Sequence, residues 1–573
     1  MIVAAAECIA EYTRRGWWGQ GTLDDLLQRN RRQHGQRMAL VDPPNRPALD
    51  GQLPRRLTWS QLGDAVDVLA AALLDLDLAK GDIITYQLPN TVDAVLVALA
   101  AARIGLIISP VVMPYRQHEL DYVLGLVEPA AFITLAEFGG HGHAGMALTL
   151  DWRGRTPRVL VMGGAAPPGT IDLDAATAAA DPQRAVAYCA AHPVVPEEVY
   201  SIFWTSGTEA RPKGVPRDHN LWTVNARMVT ELADLRDGEV ILCPFPLVNI
   251  ASFGMVMPWL WRCGTLVLHH PFDLGIFLDQ IGAERVNYTI VAPAILNAVL
   301  KSEALLAGSD LTSLRAVGSG SAPLSPWMIE RFASDFSIEV CNIYGSNEGA
   351  ALFSNARHVP VPEDRARYFP RFGVPGIAWE SEVAAMLQTR LVDPETEEEI
   401  FASGRPGELR CRGAYIFGGY YKQPELSDRA FDAQGYYRTG DLFEIAGDEA
   451  LPRFYRFVGR CKDIIVRGGM NISPAELDDL LAGHPLLAEA AVVGIPDARL
   501  GECVCVAIVP RTEQVPTLAA INDWLRQRQV AVFKLPERLA VIDALPRNPM
   551  NKVQRPQLRE RVLAQLGLAG SAS

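Results

Sequence analysis

The sequence is short of the features that mark several large functional classes. It has no basic excess: 53 lysines and arginines stand against 66 acidic residues, a net charge of −13. That balance gives no support for non-specific nucleic-acid binding, which depends on clustered cations. The nine cysteines are scattered, with neither zinc-type nor CxxC spacing. The closest pair, Cys503 and Cys505 in "ECVCVAIV", falls on one face of a strand and forms neither a knuckle nor a redox pair. Reduced thiols in a cytoplasmic enzyme are therefore expected. The opening "MIVAAAECIAEYTRRGWW" lacks a basic n-region and is broken by Glu7, so no secretory signal is expected. The longest apolar run, Ala94 to Pro114, "AVLVALAAARIGLIISPVVMP", nears the length of a membrane span. Arg103 in mid-run and Gly105, which splits it, predict instead a buried helix, continuing from Asp93, that feeds a buried strand "LIISPVV". No integral membrane segment is expected, and no short-period repeat is visible.

What is present is the balance of a globular protein, 49% apolar and 21% charged residues over a length of 573 that needs more than one core. Strand-length apolar segments alternate with helical patterns. "TLVLHH" is followed by "DLGIFLDQIGAE", with Leu274, Phe277 and Ile281 on one helical face, and then by "YTIVAP". "LRAVGSGSAPLSPWMIERF" repeats the scheme, with Ser325 placed to cap a helix and Pro326 at its first position. This alternation predicts an α/β fold: a large N-terminal domain of mostly parallel sheets flanked by helices. Ligands of such sheets gather at the loops after the strands. A second architecture starts near Gly459, where "AEAAVVGIPD", "ECVCVAIVP" and "ERLAVIDALP" mix with "PAELDDLLAGH" and "LAAINDWLRQRQV". It predicts a small α+β domain. The boundary is placed at "FVGRCKD", giving domains 1–459 and 460–573.

The most informative stretch is "YSIFWTSGTEARPKGVPRDH", Tyr200 to His219. Thr205, Ser206 and Thr208 offer hydroxyls, Gly207 and Gly214 let backbone approach closely, and Lys213 adds a cation, a set that can wrap a polyphosphate. It is not a Walker A loop, because the order is Pro212-Lys213-Gly214. Alone, such a stretch is more often a plain loop. Four further segments accompany it. "NIYGSNEGA" offers Tyr344 and Glu348; "YYRTGDLFEI" offers Asp441, which a buried turn could also use; "FVGRCKDIIVRGGMNISPAELDDLL" carries Arg460, Lys462, Gly468 and Gly469; "LPRNPMNKVQR" presents Lys552 near the chain end, where a solvated lysine is the ordinary reading.

In this order and spacing, from about Trp17 to Arg559, these segments resemble the adenylate-forming (AMP-binding) superfamily of acyl-CoA synthetases, aryl-acid adenylating enzymes, peptide-synthetase adenylation domains and luciferases. The resemblance implies a large N-terminal domain and a small mobile C-terminal lid that rotates between two half-reactions. It implies ATP, Mg²⁺ and coenzyme A. Thr205, Ser206, Gly207, Thr208 and Lys213 match the phosphate loop; Gly320, Ser321 and Ala322 match the adenine segment; Tyr344, with Gly345 and Asn347 beside it, matches the aromatic that stacks on adenine. Glu348 matches the Mg²⁺ ligand, Asp441 the carboxylate on the ribose hydroxyls, Arg460 the arginine near ribose and phosphate, Lys462 the hinge, and Gly468 with Gly469 the pantetheine channel. Lys552 matches the lysine that bridges the acid and the α-phosphate, so that Lys552, Glu348 and Lys213 are the implied catalytic groups.

Some positions depart from the family pattern. Glu209 and Ala210 stand where Thr-Gly is usual, Asn347 where Thr is usual, and Asn551 where Gly is usual, Asn being a residue that tolerates positive φ. No charged group is lost, so an active enzyme is expected. The acid should meet Val248, Asn249, Phe253 and Gly320 in an apolar neighbourhood with Ile250, Met255 and Trp259, favouring a compact cyclic, aromatic or branched acid. An Asn matching Asn249 contacts the ring hydroxyl in hydroxybenzoate-activating members; capping a loop is the alternative. The acceptor is expected to be CoA, the alternative being a pantetheinylated carrier protein. Pairing into a homodimer is left open. An AMP sensor on this fold is disfavoured by the intact Glu348, Asp441 and Lys552, and a luciferase-like oxygenase would reveal itself by light or oxygen uptake.

Overall fold

In the computed structural model the chain is described over residues 1–205, 212–320, 324–461, 463–467, 470–497, 499–528, 530, 532–548 and 551–568. Among these, two mostly parallel sheets build the large N-terminal domain. One has eight strands in the order Ala351–Ser354, Glu339–Gly345, Ala316–Gly320, Tyr288–Val291, Val240–Cys243, Thr265–Leu268, Met38–Val41 and Arg56–Thr58, antiparallel only at its two edges. The other runs Ile171–Asp172, Val159–Met162, Ala131–Leu135, Ile83–Gln87, Ile107–Pro110, Val199–Trp204 and Gly214–Asp218, with the last strand antiparallel. Their inner strands are buried on both faces, as in Ile83–Gln87 and Ala131–Leu135, which is why they read as unbroken apolar runs.

The helices Trp59–Asp75, Val92–Ile104, His219–Leu232 and Ile250–Trp261 share one core with residues of both sheets. The expected buried helix is Val92–Ile104, in which every residue but Arg103 is buried, and it feeds the strand Ile107–Pro110. Arg103 is tolerated there because Asp24 and Asp67 meet it at 2.7 and 3.0 Å. Gly105 ends the helix at φ +76°, a conformation that favours glycine. Among the described residues no helix is long and apolar enough to cross a membrane. Pro326 opens its helix as expected, but Ser325 precedes it without a side-chain cap hydrogen bond.

A third sheet was not expected. Tyr368–Pro370, Phe454–Arg460, Tyr437–Ala446, Gly407–Gly413 and Leu387–Val392 pair antiparallel throughout. Its pattern is masked by buried charge: Arg410, 1% exposed, sits against Glu408 at 2.9 Å and Glu397 at 2.7 Å. The small C-terminal domain carries the fourth sheet, Met470–Ile472, Ile465–Arg467, Gly501–Pro510 and Leu487–Asp497, with Arg538–Val541 parallel to Gly501–Pro510. Cys503 and Cys505 pack together in its core against Leu558 and Val562, as their spacing predicts.

Burial leaves some histidines committed to the neutral form. His219 is 1% exposed; burial lowers it to about 4, and its Nδ1 accepts a hydrogen bond from the Leu23 amide at 3.2 Å. Its folded pKa lies below the ordinary 6.5, so the unfolded chain binds the extra proton first. Stability is then complete above pH 6.5 and falls as pH drops toward 4. Between pH 7 and pH 5 this one group should cost about 2 kcal/mol. The expected result is that His219→Gln shrinks the pH 7 to pH 5 difference in unfolding free energy by about that amount. An unchanged difference in denaturant titrations at the two pH values counts against a neutral buried imidazole.

Candidate active site

Several of the expected site residues lie at or just beyond the C-terminal ends of strands. Strand Val199–Trp204 runs into Thr205, and strand Gly214–Asp218 returns from Lys213. Thr205 and Lys213 close the intervening loop with two hydrogen bonds, the Thr205 amide to the Lys213 carbonyl and the Lys213 amide to Thr205 Oγ1, each 3.0 Å. Ser206, Gly207, Thr208, Glu209 and Ala210 lie outside the described residues. Lys213 Nζ stands 4.9 Å from the centre of the Tyr420 ring.

Strands Ala316–Gly320 and Glu339–Gly345 end side by side. A side chain at Gly320 would come within 2.0 Å of the Ile343 carbonyl oxygen, so only glycine fits. Ser321 and Ala322 lie outside the described residues. Past Gly345, Asn347 ties three segments together. Its Oδ1 accepts from the Ile250 amide at 3.1 Å, its Nδ2 donates to the Trp204 carbonyl at 2.9 Å, and its own carbonyl accepts from Arg217 at 3.0 Å. Asn347 thus acts as the donor expected at this departure from the pattern. Glu348 is 7% exposed, and its Oε1 accepts from the Tyr420 hydroxyl at 2.9 Å.

Tyr420 is a neighbour of these residues that the sequence reading missed. Its hydroxyl holds Glu348 while its ring faces Lys213. The signal was the aromatic-glycine run "IFGGYYKQ", whose one charged residue, Lys422, pairs elsewhere with Glu128.

Asp441 and Arg460 face each other across neighbouring strands of the third sheet, with Nε and Oδ1 3.2 Å apart. The other carboxylate oxygen accepts from the Tyr344 hydroxyl at 2.7 Å. Asp441 therefore belongs to a strand rather than a turn, and its partners come from distant sequence. Burial raises its pKa; Arg460, Tyr344 and Lys552 oppose that rise. The Tyr344 ring is set by Phe443, 5.0 Å away and edge-on.

Lys552, from the small domain, reaches this cluster. Its backbone is fixed by Asn548, whose side-chain oxygen accepts from the Lys552 amide at 2.9 Å, and Asn551 before it has φ +62°, the conformation anticipated there. Burial lowers the Lys552 pKa, Arg460 adds to the lowering, and the carboxylates of Asp441 and Glu348 resist it. One ammonium thus interacts with two carboxylates and a guanidinium supplied by three separate segments. Lys462, Gly468 and Gly469 lie outside the described residues.

On the acid side, Val248 and Phe253 are buried, and the Phe253 ring packs against Phe203 and Trp222. Met255 and Trp259 do not belong to that neighbourhood. Trp259 stacks on Trp59 at 5.0 Å and donates to the Ala39 carbonyl, while Met255 Sδ accepts from the Ile290 amide, so both are core. The helical period carries their side chains away from the strand ends. Asn249 caps helix Ile250–Trp261 through a capping box with Ser252. Asn249→Ala should cost about 1 kcal/mol of stability in chemical denaturation, and Asn249→Asp, which keeps the acceptor, only a few tenths. Equal losses in the two variants would remove the capping role.

A site with a buried carboxylate, a basic loop and a converging lysine can hold a nucleotide triphosphate and an acid together. Known proteins resemble the chain over most of its length. The AMP-binding enzyme family matches residues 27–421, and the AMP-binding enzyme C-terminal domain matches residues 476–552. The medium-chain fatty-acid–CoA ligase of Escherichia coli K12 is 29% identical, over 97% of this chain and 93% of its own. The salicyl-AMP ligase / salicyl-S-ArCP synthetase of Mycobacterium tuberculosis is 28% identical, over 98% and 94%. Among solved structures, ATP-bound MatB from Rhodopseudomonas palustris superposes with a TM-score of 0.76 at 25% identity, covering 94% of this chain and 99% of that one. With both family regions matched in order on a large α/β domain and a small C-terminal one, the chain belongs to the AMP-binding enzymes, the ATP-dependent adenylate-forming family.

Proposed function

We propose that this protein is an AMP-forming acid–thiol ligase that joins a compact cyclic, aromatic or branched carboxylic acid to coenzyme A in two steps. The observation that carries the reading is the buried Asp441 carboxylate, held between Arg460 at 3.2 Å and the Tyr344 hydroxyl at 2.7 Å, with the charge of Lys552 acting on it. In the first step the acid's oxygen attacks the α-phosphorus of ATP and pyrophosphate leaves. Two anions approach each other, so Lys552 is assigned to the reacting oxygens, where a placed cation stabilises the charge of the transition state. Asp441 takes the ribose hydroxyls, Tyr344 the adenine face, and Thr205 and Lys213 the phosphate end. Glu348 suits Mg²⁺, which binds through one or two carboxylates plus substrate phosphates and keeps several waters. Bound there, Mg²⁺ would offset phosphate charge. Tyr420 orients Glu348 for that task.

In the second step the thiol sulfur bonds to the carbonyl carbon, the carbon–oxygen bond to phosphate breaks, AMP leaves with the electron pair and the thiol proton is released. A domain change at 459/460, with Lys462 as hinge and Gly468 and Gly469 at the pantetheine channel, would let the lid serve this step. Val248 and Phe253 support an apolar acid, with Gly320 beside the nucleotide. The resemblance to a synthetase that loads a carrier protein supports a second reading, in which a pantetheinylated carrier replaces CoA.

Pyrophosphate exchange over a panel of salicylate-like, branched and straight-chain acids tests the first step. Thioester formation with free CoA against holo carrier protein tests the second. Exchange only with straight medium-length chains overturns the acid class, and activity with carrier alone selects the second reading.

A further inference from the structure

A cleft whose lining shares none of the site residues above lies between the two domains. It encloses about 710 Å³ and is lined by Leu300, Lys301, Leu306, Trp327, Arg331 and Arg511. The first five come from helices on the outer face of the eight-stranded sheet, and Arg511 follows the small domain's strand Gly501–Pro510. Three of the six are cations, in a chain whose net charge is −13.

The cations are set against one another. Partial desolvation lowers the pKa of the still exposed Lys301, and the charge that lowers it further is Arg511, a like charge from the other domain. Arg331 gives its Nε to Asp335 at 2.5 Å, but a guanidinium carries five N–H donors. Trp327 is 44% exposed and sits in the first turn of helix Pro326–Phe336, at the end whose dipole favours anions. Leu300 and Leu306 supply an apolar wall. Like charges held together beside an exposed aromatic ring complement a ligand that is multiply anionic at one end and flat at the other.

We propose that this cleft binds a polyphosphorylated small molecule carrying an aromatic ring, of the nucleoside polyphosphate class. Its phosphates lie among Lys301, Arg331 and Arg511, and its ring lies against Trp327, Leu300 and Leu306. Because both domains contribute, the ligand ties the small domain to the large one in the arrangement described.

Calorimetric titration of the full chain with guanosine 5′-diphosphate 3′-diphosphate tests this. The chain is first saturated with α,β-methylene-ATP and Mg²⁺, so that a guanine nucleotide is not read at the site around Asp441. The readout is binding, so it stands apart from whether the enzyme forms thioesters. A single event with submillimolar affinity is expected. Arg511→Glu and Lys301→Glu, both on exposed side chains, should each weaken it at least about tenfold while melting like the parent. Inorganic tripolyphosphate should bind more weakly than the nucleotide, and Trp327→Ala should erase that difference. No heat up to about 1 mM, or an affinity unchanged by Arg511→Glu, overturns the site; tripolyphosphate binding as tightly as the nucleotide overturns the ring's place in it.

Discussion

Replacing Lys552 with alanine is expected to slow acid-dependent exchange of pyrophosphate into ATP by roughly several hundred-fold or more. Thioester formation from a supplied acyl-adenylate should be affected far less. The asymmetry follows from charge. In the first half-reaction a carboxylate meets a phosphate, and Lys552 is a cation from the small domain whose charged form the carboxylates of Asp441 and Glu348 favour against burial. A transition-state contact of this kind is worth about 2.7–4 kcal/mol. In the second half-reaction the leaving group is already AMP, and the approach of a thiol does not need that cation. Lys552→Arg should not rescue the rate fully, because a planar fork cannot take the place of a compact ammonium. Equal loss in both half-reactions, measured on one preparation, sinks the assignment.

Asp441→Ala should weaken ATP binding by about a hundredfold or more without unfolding the protein. Each hydrogen bond from a ribose hydroxyl to a carboxylate contributes ~1.5–3 kcal/mol, and two are assigned here. The lower end is the safer expectation, since Tyr344 and Arg460 already occupy the carboxylate and must share it with the ribose. Stability should change little, because burial raises the Asp441 pKa and removing the group relieves that desolvation even as it strands Arg460. ATP affinity and melting temperature together decide the matter. A variant that melts far below the parent while binding ATP unchanged marks Asp441 as a strut of the third sheet.

The parts of the fold legible in the sequence were those with a local apolar signature. Helix Val92–Ile104 and the strands beside it announce themselves because both of their faces are buried. The third sheet stayed hidden because strand Gly407–Gly413 places Arg410 inside, where the carboxylates of Glu397, Asp432 and its neighbour Glu408 make it tolerable. Pocket lining was misread at Met255 and Trp259 for a related reason. An apolar helix next to a loop looks uniform in sequence, and only the helical phase separates the face toward the site from the face toward Trp59. The charged site residues were found through the resemblance of whole segments, since nothing near Asp441 in sequence names Tyr344 or Arg460 as its partners. Tyr420 was passed over because its role, orienting Glu348, depends on a contact 72 residues away.

The Asp441–Arg460 pair sits on the last ladder before the small domain's sheet begins at Ile465. Its position makes it a lever between two equilibria. Any rotation of the small domain that draws Arg460 off its strand leaves a buried carboxylate short of a counter-charge. A ligand that bonds to Asp441 changes the cost of that rotation. Reciprocity then fixes the converse: the factor by which a nucleotide favours one orientation of the small domain is the factor by which that orientation tightens the nucleotide. Measured nucleotide affinity and small-domain orientation are, through this one pair, two readings of a single coupling free energy.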